Sequence, residues 1–497
     1  MRAASLQSST RVDRSERIPI LVLTAVFGLS RLIFFTAGVR FDADTLTWYL
    51  QYIDPVLLRT DLLRSLYYLH IQPPLFNLYL GTVLKLFPES YRVAFAATYV
   101  LLGWALTLCL YALLRRLGAA RWLSATAVAV FIVSAPCVLY ENWLFYSYPV
   151  TVALCASAYF LHRFIDRGRL GDGFVFFALL GVLVLTRSVF HLFWYAFFVL
   201  VLVCHRSAAS RRIIAAAILP FVLILSLYVK NYCVFGRFTT STWLGPSLAK
   251  ISTWMLPDAE RVALARSHQL SGAALINPFL YSPGQFHPLV PPVPETGIPV
   301  LDQVKRSTGP VNANNLTFVA ASDLYRDDAL YVIRSFPRTY LKGVSWAYIV
   351  FFEPASASAL LAKNIRAIER WTHLCALFLY GSGMPTVPSV PEPVEAAYMG
   401  VFLIAAYAIA LAYGIGQVWR LLCRPDSRTA RTVTLAYLCL NVLYVMVVCN
   451  ALEVGENNRF RFPTEPLVVA LLAACITDAV RRWKGRRHPA AAGPPRA

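Results

Sequence analysis

The chain has 497 residues, of which 58% are hydrophobic and only 14% are charged. Soluble globular proteins carry roughly 25% charged residues, so this composition excludes an ordinary soluble domain and predicts an all-α polytopic membrane protein. The net charge of +20 does not indicate nucleic acid as a partner. The basic residues lie at the ends of apolar segments, which is the pattern that orients membrane helices.

Segment 1–17 is polar and basic, and the apolar run 18–38 that follows is long enough to span a bilayer. We expect this first helix to be retained, with segment 1–17 in the cytoplasm. Arginine-rich loops assigned to the cytoplasm let ten predicted spans alternate without conflict. The spans are 18–38, 91–114, 121–139, 146–164, 172–187, 190–204, 212–228, 397–420, 431–449 and 464–480.

This topology predicts two transmembrane regions, 18–228 and 397–480, and a cytoplasmic tail, 481–497. The first external loop, 39–90, contains an apolar stretch at 74–87 that would be about 21 Å long as a helix. That is shorter than the hydrocarbon core of roughly 30 Å, so we expect it to dip into the membrane or to lie along it. If 74–87 did span, the charges of the loops would contradict the predicted topology.

Segment 230–396 contains no good spanning helix and is rich in proline and polar residues. It is predicted to form an external domain of loops and short helices, with 340–352 as a candidate interfacial helix. The tail beyond Arg486 is rich in proline and alanine and is predicted to be disordered. The ten cysteines stand singly and have no metal-binding spacing, so no metal site is predicted from them.

The first external loop opens with Phe41-Asp42-Ala43-Asp44. Two carboxylates at the mouth of a membrane helix are costly unless they face water, a partner or a substrate. In an extended segment both side chains point the same way, so one could act as a base while the other orients it or holds a divalent cation. Asp44 is slightly preferred as the catalytic group because it lies further from the membrane plane. The alternative is that both aspartates only cap the next helix.

His70 and Gln72 lie just before Pro73-Pro74, which would open the helix at 74–87. The N-terminus of a helix attracts anions, so both side chains are candidate substrate ligands, and a rigid turn is the alternative. Glu141 lies among aromatic residues at the predicted external surface and could bind a sugar hydroxyl. Its alternative is a solvated loop residue.

Three arginines lie on the predicted external side, against the orientation rule. They are Arg187, between two short spans, and Arg459 and Arg461, just before the last span. Guanidinium groups grip phosphate with two parallel hydrogen bonds, so all three are candidate substrate ligands. The alternatives are contacts with lipid headgroups or an ion pair with Glu456.

The order of these motifs resembles the GT-C superfamily of polytopic glycosyltransferases. The likeness is greatest to the family 39-like enzymes of the protein mannosyltransferase and aminoarabinose transferase type. It includes an acidic pair in the first external loop, an H-x-x-P-P-L helix start and a basic motif before the last helix. Lys230-Asn231-Tyr232-Cys233-Val234-Phe235-Gly236-Arg237-Phe238 is also similar to the family's R-N-x-x-x-F-G-x-F stretch.

The resemblance implies a GT-C-like helical bundle that transfers a hexose or pentose from a polyprenyl-phosphate donor. The acceptor would be a lipid, a glycan or a protein outside a bacterial inner membrane. The family's catalytic carboxylate maps onto Asp42 or Asp44. The residue before the two prolines is often basic in the family, but here it is Gln72, so phosphate pairing shifts to His70, Arg459 or Arg461.

Other features of the sequence agree with a lipid-linked donor, and no cofactor is implied with certainty. The chain contains neither a Rossmann glycine fingerprint nor a P-loop. A secondary transporter is one alternative, but it would need a polar path at the midplane and usually an internal repeat. The spans carry almost no midplane charge apart from Arg31, and no repeat is visible. A polymerase or ligase of lipid-linked glycans is the second alternative.

Overall fold

The computed structural model describes residues 14–205, 209–279, 282–382, 399–424 and 428–487. Within these ranges the regular elements are helices, and isolated bridges join Asp42 to Trp143 and Lys305 to Val311. The described residues include six helices long and apolar enough to cross a membrane, and one bent helix pair that makes a seventh if counted as a single span. The prediction of an all-α polytopic membrane protein is therefore confirmed. Predictions for 1–13, for the part 383–396 of the predicted external domain and for the tail beyond 487 lie outside the described residues.

The N-terminal part of the chain forms most of the bundle and its first long loop. Long apolar stretches produce the long helices, whereas Pro55 and the prolines at 73–74 start new short ones in the loop. The helices are α1 (Arg14–Thr36), α2 (Thr45–Trp48), α3 (Pro55–Thr60), α4 (Leu62–Tyr67), α5 (Leu75–Leu86), α6 (Tyr91–Arg116), α7 (Arg121–Val133), α8 (Ala135–Glu141), α9 (Ser147–Arg167), α10 (Leu170–Thr186), α11 (Leu192–His205) and α12 (Ser210–Phe235).

The middle of the chain forms shorter helices with a small core of their own. That core is built around Phe286, Phe318 and Tyr325. Gly236 ends α12 with a φ of 67°, a left-handed conformation that favours glycine, and the chain then turns into this region. Its helices are α13 (Leu244–Ile251), α14 (Asp258–Arg266), α15 (Pro299–Asp302), α16 (Thr317–Ser335), α17 (Pro337–Phe351), α18 (Ala362–Ala367) and α19 (Glu369–Cys375).

The C-terminal part returns to the bundle through α20 (Val401–Cys423), α21 (Ala430–Leu452), α22 (Asn457–Arg461) and α23 (Glu465–Arg487). Helices α20, α21 and α23 pack against one another, and α21 and α23 also pack against α9. The main hydrophobic core of the molecule lies between these helices and α6, α9 and α10.

Each of the ten predicted spans falls on a helix or a bent helix pair. Six fall on the long apolar helices α1, α6, α12, α20, α21 and α23. The span at 121–139 corresponds to α7 and α8, which meet at a bend of 59°, and the spans at 172–187 and 190–204 form helices of 17 and 14 residues. The span at 146–164 forms α9, whose residues are mostly buried. A helix that faces protein on all sides does not need a lipid-compatible surface, which explains its polar residues.

The apolar stretch at 74–87 forms α5, which has only 12 residues. At 1.5 Å per residue this is about 18 Å, too short to cross a bilayer unaided. It packs against α3, α4, α6 and α10. The segment 340–352, predicted to be interfacial, coincides with α17 up to Phe351, where that helix ends.

Ion pairs mark one end of the bundle. Arg115 lies 2.9 Å from Glu16, and Arg431 lies 2.8 Å from Asp478 while its Nε donates to the carbonyl of Leu117. We call this the arginine-rich end. The first loop, the turn between α8 and α9 and helices α13 to α19 lie at the opposite end, which we call the site end.

A charged pair lies inside the bundle between the two ends. Arg31 of α1 donates to both carboxylate oxygens of Glu141 at 2.8 and 2.6 Å, and the hydroxyl of Tyr148 donates to the same carboxylate at 2.8 Å. Glu141 is only 1% exposed. A β-carbon at Gly103 of α6 would overlap this carboxylate, so glycine is needed there to make room for the pair.

We expect Glu141→Ala to destabilise the protein by about 3–5 kcal/mol, because it leaves the guanidinium of Arg31 buried without its carboxylate. Arg92→Ala is the matched control. It breaks the solvent-exposed pair with Asp44, which is worth about 0–1 kcal/mol. The free energy of unfolding of both variants in detergent measures the difference. If both variants lost the same small amount of unfolding free energy, the pair of Arg31 and Glu141 would not be what holds α1 to α8.

Candidate functional site

A cavity of about 450 Å³ lies at the site end of the bundle. Its walls come from the first loop, the turn between α10 and α11, helix α13 and the connection from α21 through α22. These elements are the ends of membrane helices and the loops between them. The ionisable side chains that line it are Tyr49, Tyr146, Arg187, His191, Lys250, Cys449, Glu453, Glu456 and Arg459.

Arg187 is the first of the predicted ligands that faces this cavity. It follows the last residue of α10 and is only 6% exposed. Its guanidinium carbon lies 4.7 Å from the ring centroid of Phe460 and 5.9 Å from that of Tyr146. Among the described residues, no carboxylate pairs with this guanidinium and no oxygen accepts a hydrogen bond from it. A buried cation without an anion is costly, so the position is suited to an anionic ligand.

Arg459 faces the same cavity and is 2% exposed. One terminal nitrogen pairs with the carboxylate of Glu456, and the other donates to the hydroxyl of Tyr146 at 3.3 Å. The guanidinium carbon also lies 4.7 Å from the ring centroid of Phe145. The structure therefore contains the ion pair with Glu456 that is the alternative to a ligand role, and it also places Arg459 at the cavity wall.

Glu453 and Lys250 form a second charged part of the lining. Glu453 directly follows α21, and its carboxylate accepts a hydrogen bond of 3.3 Å from the hydroxyl of Ser247 on α13. Burial raises the pKa of Glu453 above its usual range, and the positive charge of Lys250 opposes this only in part. The ammonium of Lys250 lies 5.3 Å from the ring centroid of Phe279.

Gln72 also lines the cavity, and its amide donates to the backbone carbonyl of Gln51 at 2.5 Å. The same carbonyl accepts a hydrogen bond of 3.2 Å from Asn77 on α5. The turn before the two prolines thus fixes the part of the first loop that forms the wall.

Arg306 fixes the first loop from the other side. Its buried guanidinium donates to the backbone carbonyls of Thr47 at 2.9 Å and of Tyr49 and Tyr52 at 3.2 Å. Burial lowers the pKa of Arg306 to about 10, and Asp54 opposes that shift. Because Tyr49 lines the cavity, Arg306 orders the wall from outside it.

The two first-loop aspartates do not line the cavity. Asp42 pairs through its backbone N–H with the carbonyl of Asn142 at 2.8 Å, and its carboxylate accepts a hydrogen bond of 2.9 Å from the N–H of Asp44. Asp44 is 47% exposed and contacts Arg92 at 3.1 Å and Lys363 at 3.4 Å. Partial burial raises the pKa of Asp44, but the hydrogen bonds and charges of these two cations outweigh it and leave the pKa below its usual range.

His70 is fully buried beside the cavity but not in its lining. Its Nδ1 lies 2.7 Å from the hydroxyl oxygen of Thr242, and its Nε2 lies 3.0 Å from the carbonyl oxygen of Asn314. Burial lowers the pKa of His70 to about 3, so the imidazole is neutral near pH 7. It joins the first loop to the middle region of the chain.

Arg461 and Glu141 lie away from the cavity lining, in buried contacts of their own. Arg461 is fully buried, donates to the backbone carbonyl of Glu353 at 2.7 Å and pairs with Glu465 at 3.0 Å. Glu141 is held by Arg31 inside the bundle. The structure thus brings together Gln72, Arg187 and Arg459 from the predicted set and does not bring Asp42, Asp44, His70, Glu141 or Arg461 into the same lining.

The sequence analysis missed Lys250, His191 and Glu453 as site residues. Glu453 had a usable signal, because it is a carboxylate that directly follows an apolar span, as Asp42 does. Lys250 had none, since a lysine in the middle region reads as a solvated charge. Within the described ranges, no group of three or more His, Cys, Asp or Glu side chains could hold a metal ion.

Comparison with known proteins gives a weak structural likeness. No protein-family model and no curated protein matches the chain. Two solved structures that are similar to it show the oligosaccharyltransferase of Archaeoglobus fulgidus. One is the apo form, with 12% identity, a TM-score of 0.34 and coverage of 94% of this chain and 52% of that one. The other is tethered by a disulfide to an acceptor peptide containing the NVT sequon, with 10% identity, a TM-score of 0.36 and coverage of 93% and 50%.

This chain spans about half the length of the oligosaccharyltransferase that it matches. Likeness at such values of identity and TM-score carries no argument about activity.

The buried, neutral state of His70 predicts a pH dependence of stability. Its pKa is about 3 when folded and near 6.5 when unfolded, so the unfolded state binds the extra proton as the pH falls below about 6.5. Stability should fall by about 1.4 kcal/mol per pH unit from this group until the folded pKa is reached. Unfolding free energies between pH 7 and pH 5 should show this slope in the wild type.

His70→Gln should remove this contribution to the slope of unfolding free energy against pH. His287→Gln, at an exposed histidine, should leave the slope unchanged. If His70→Gln kept the full slope, protonation of another group would be responsible.

Proposed function

We propose that the chain is an integral-membrane glycosyltransferase of the GT-C type, similar to the family 39-like enzymes. In this proposal it moves a sugar from a polyprenyl-phosphate donor to a lipid, glycan or protein acceptor. The observation that supports it is the buried guanidinium of Arg187, which faces a cavity without a carboxylate partner among the described residues.

The position of the cavity suits a donor that is carried by a lipid. It lies where membrane helices end, so a phosphate could enter it while the attached polyprenyl chain stays in the bilayer. Its volume of about 450 Å³ lies within the range of roughly 300–1,000 Å³ typical of small-molecule sites. A sugar phosphate fits this space.

We assign the donor phosphate to Arg187 and Arg459. Among the described residues no carboxylate pairs with the guanidinium of Arg187, whereas the guanidinium of Arg459 forms an ion pair with Glu456. In the reaction, the acceptor oxygen bonds to the anomeric carbon as the bond from that carbon to the phosphate oxygen breaks. The electron pair stays on the phosphate, and preorganised cations stabilise the charge that develops there.

The proposal needs a carboxylate that takes the proton of the acceptor hydroxyl. The resemblance assigns this role to Asp42 or Asp44, and both remain the first-loop candidates. For His70 and Gln72 we propose positioning roles, since His70 is neutral and Gln72 holds the cavity wall. For Glu141 and Arg461 we propose structural roles, because their partners are buried side chains and backbone groups.

The orientation is also part of the proposal. We place the arginine-rich end in the cytoplasm of a bacterial cell and the cavity on the outer side of the inner membrane, in keeping with the positive-inside rule. In a variant without native cysteines, Arg116→Cys should be labelled only from inside and Glu260→Cys only from outside. The reverse pattern would place the cavity in the cytoplasm.

We expect Arg187→Ala and Arg459→Ala each to weaken binding of a short-chain polyprenyl phosphate by roughly 10- to 150-fold. This is the loss of one charged hydrogen-bonding contact, about 1.5–3 kcal/mol. Titration calorimetry in detergent measures it. Arg237→Ala is the control, because Arg237 pairs with Asp323 outside the cavity lining. If both cavity variants bound the lipid as the wild type does, the phosphate site would lie elsewhere.

The transfer itself can be tested in proteoliposomes that contain a panel of polyprenyl-phosphate sugars and candidate acceptors. Membranes with the wild-type protein should consume one donor and release free polyprenyl phosphate, and Arg187→Ala should not. Absence of release from every donor in the panel would contradict a glycosyltransferase function.

A further inference from the structure

Four carboxylates of the first loop and the cavity lining are candidates for the role of base in the proposed reaction, namely Asp42, Asp44, Glu453 and Glu456. The following inference rests on that proposed function and concerns which of them accepts the proton. Asp42 and Asp44 lie in the first loop but not in the cavity lining, whereas Glu453 and Glu456 both lie in the lining. Glu456 is held in a direct ion pair with Arg459, which leaves Glu453 as the lining carboxylate without such a pair among the described residues. A base must come within hydrogen-bond reach of the proton that it removes, so access to the cavity is the first criterion.

The first-loop aspartates are engaged in other contacts. The carboxylate of Asp42 accepts a hydrogen bond from the backbone N–H of Asp44, a local contact within the turn. Asp44 is nearly half exposed and lies between two cations, Arg92 and Lys363. A carboxylate that is stabilised in its charged form by two cations is a weak proton acceptor.

We propose that Glu453 is the base that removes the proton from the acceptor hydroxyl. The proton moves from the acceptor oxygen to the carboxylate of Glu453. That oxygen then bonds to the anomeric carbon, and the phosphate leaves with the electron pair of the broken bond. The carboxylic acid returns its proton to water after the products leave. Charge and atoms balance without a further reactant.

The surroundings of Glu453 favour this role. Ser247 of α13 donates to the carboxylate at 3.3 Å and so orients it. The charged groups that act on it are Lys250 from α13 and Glu456 and Arg459 from the connection after α21. Burial raises its pKa, Lys250 and Arg459 lower it, and Glu456 raises it. A carboxylate with a raised pKa ionises closer to neutral pH, where general bases are most effective.

Lys250 has a supporting role in the same step. Its ammonium also faces the cavity but forms no ion pair within 4.0 Å among the described residues. It is close enough to act on the charge of Glu453, so it stabilises the ionised base without neutralising it by a direct contact.

The test is the pH dependence of kcat/KM for transfer in proteoliposomes. Glu453→Gln should lower kcat/KM by roughly 10²- to 10⁴-fold, the usual contribution of a positioned base. It should also remove the acidic limb of the profile. Polyprenyl phosphate should still bind, because Arg187 is unchanged. Glu295→Gln, at an exposed loop carboxylate, is the control and should keep the wild-type profile.

Asp42→Asn and Asp44→Asn are the decisive comparison. If Glu453 is the base, either variant keeps the acidic limb of the pH profile of kcat/KM, even if its rate falls because the loop shifts. If the acidic limb disappeared in one of them and persisted in Glu453→Gln at a wild-type rate, the inference would be overturned, and the glycosyltransferase proposal would stand. Failure of the wild type to transfer any sugar would instead overturn the proposed function.

A second variant guards against loss of folding. Glu453→Ala leaves space in the cavity, and added formate should restore part of the transfer rate if a carboxylate base is what is missing. Thermal unfolding and polyprenyl phosphate binding show whether the variant is intact. An intact Glu453→Ala protein that formate does not rescue, and that keeps the acidic limb, would contradict the assignment.

Discussion

Inside a bilayer, every backbone N–H and C=O group must find its partner within the protein, and this constraint decides where irregular chain can lie. In this protein the non-helical segments collect at the ends of the bundle. At one end, ion pairs such as Arg115–Glu16 join the ends of helices. The other end holds the long first loop and the middle region, so the cavity forms where these segments meet the ends of α10 and α21.

The hydrogen-bond and ion-pair partners of the arginines inside the protein distinguish structural residues from a candidate ligand-binding residue. Arg461 is fully buried and Arg31 is partly buried, and each has a carboxylate and at least one backbone carbonyl as partners. Arg306 has three backbone carbonyls. Arg187 is also buried, but among the described residues its guanidinium lies against aromatic rings and has no carboxylate or carbonyl partner. A protein keeps such an unpaired charge only if something else compensates it, and this sets Arg187 apart.

The sequence predicts the helices well because an apolar run of about 20 residues has few alternatives in a membrane. It also selects Arg187, together with Arg459 and Arg461, because an arginine on the predicted external side runs against the orientation rule. It could not predict that Glu141 pairs with Arg31, because the partners are 110 residues apart and depend on how α1 and α8 pack. The same applies to His70, whose contacts come from Thr242 and Asn314. Packing between distant parts of the chain, which no local pattern encodes, buries Glu141 and His70 in structural contacts and places Glu453 in the cavity lining.

The pair of Arg31 and Glu141 also has a consequence for the synthesis of the protein. Arg31 lies in α1, and its carboxylate partner is synthesised 110 residues later. At 5–20 residues per second, the cation waits for roughly 5–20 s before it can be neutralised. A lone arginine at the depth of the bilayer is costly, so α1 cannot settle in the lipid on its own during that time. Its final position is set only when α8 is in place, which couples insertion of α1 to the folding of the third predicted span.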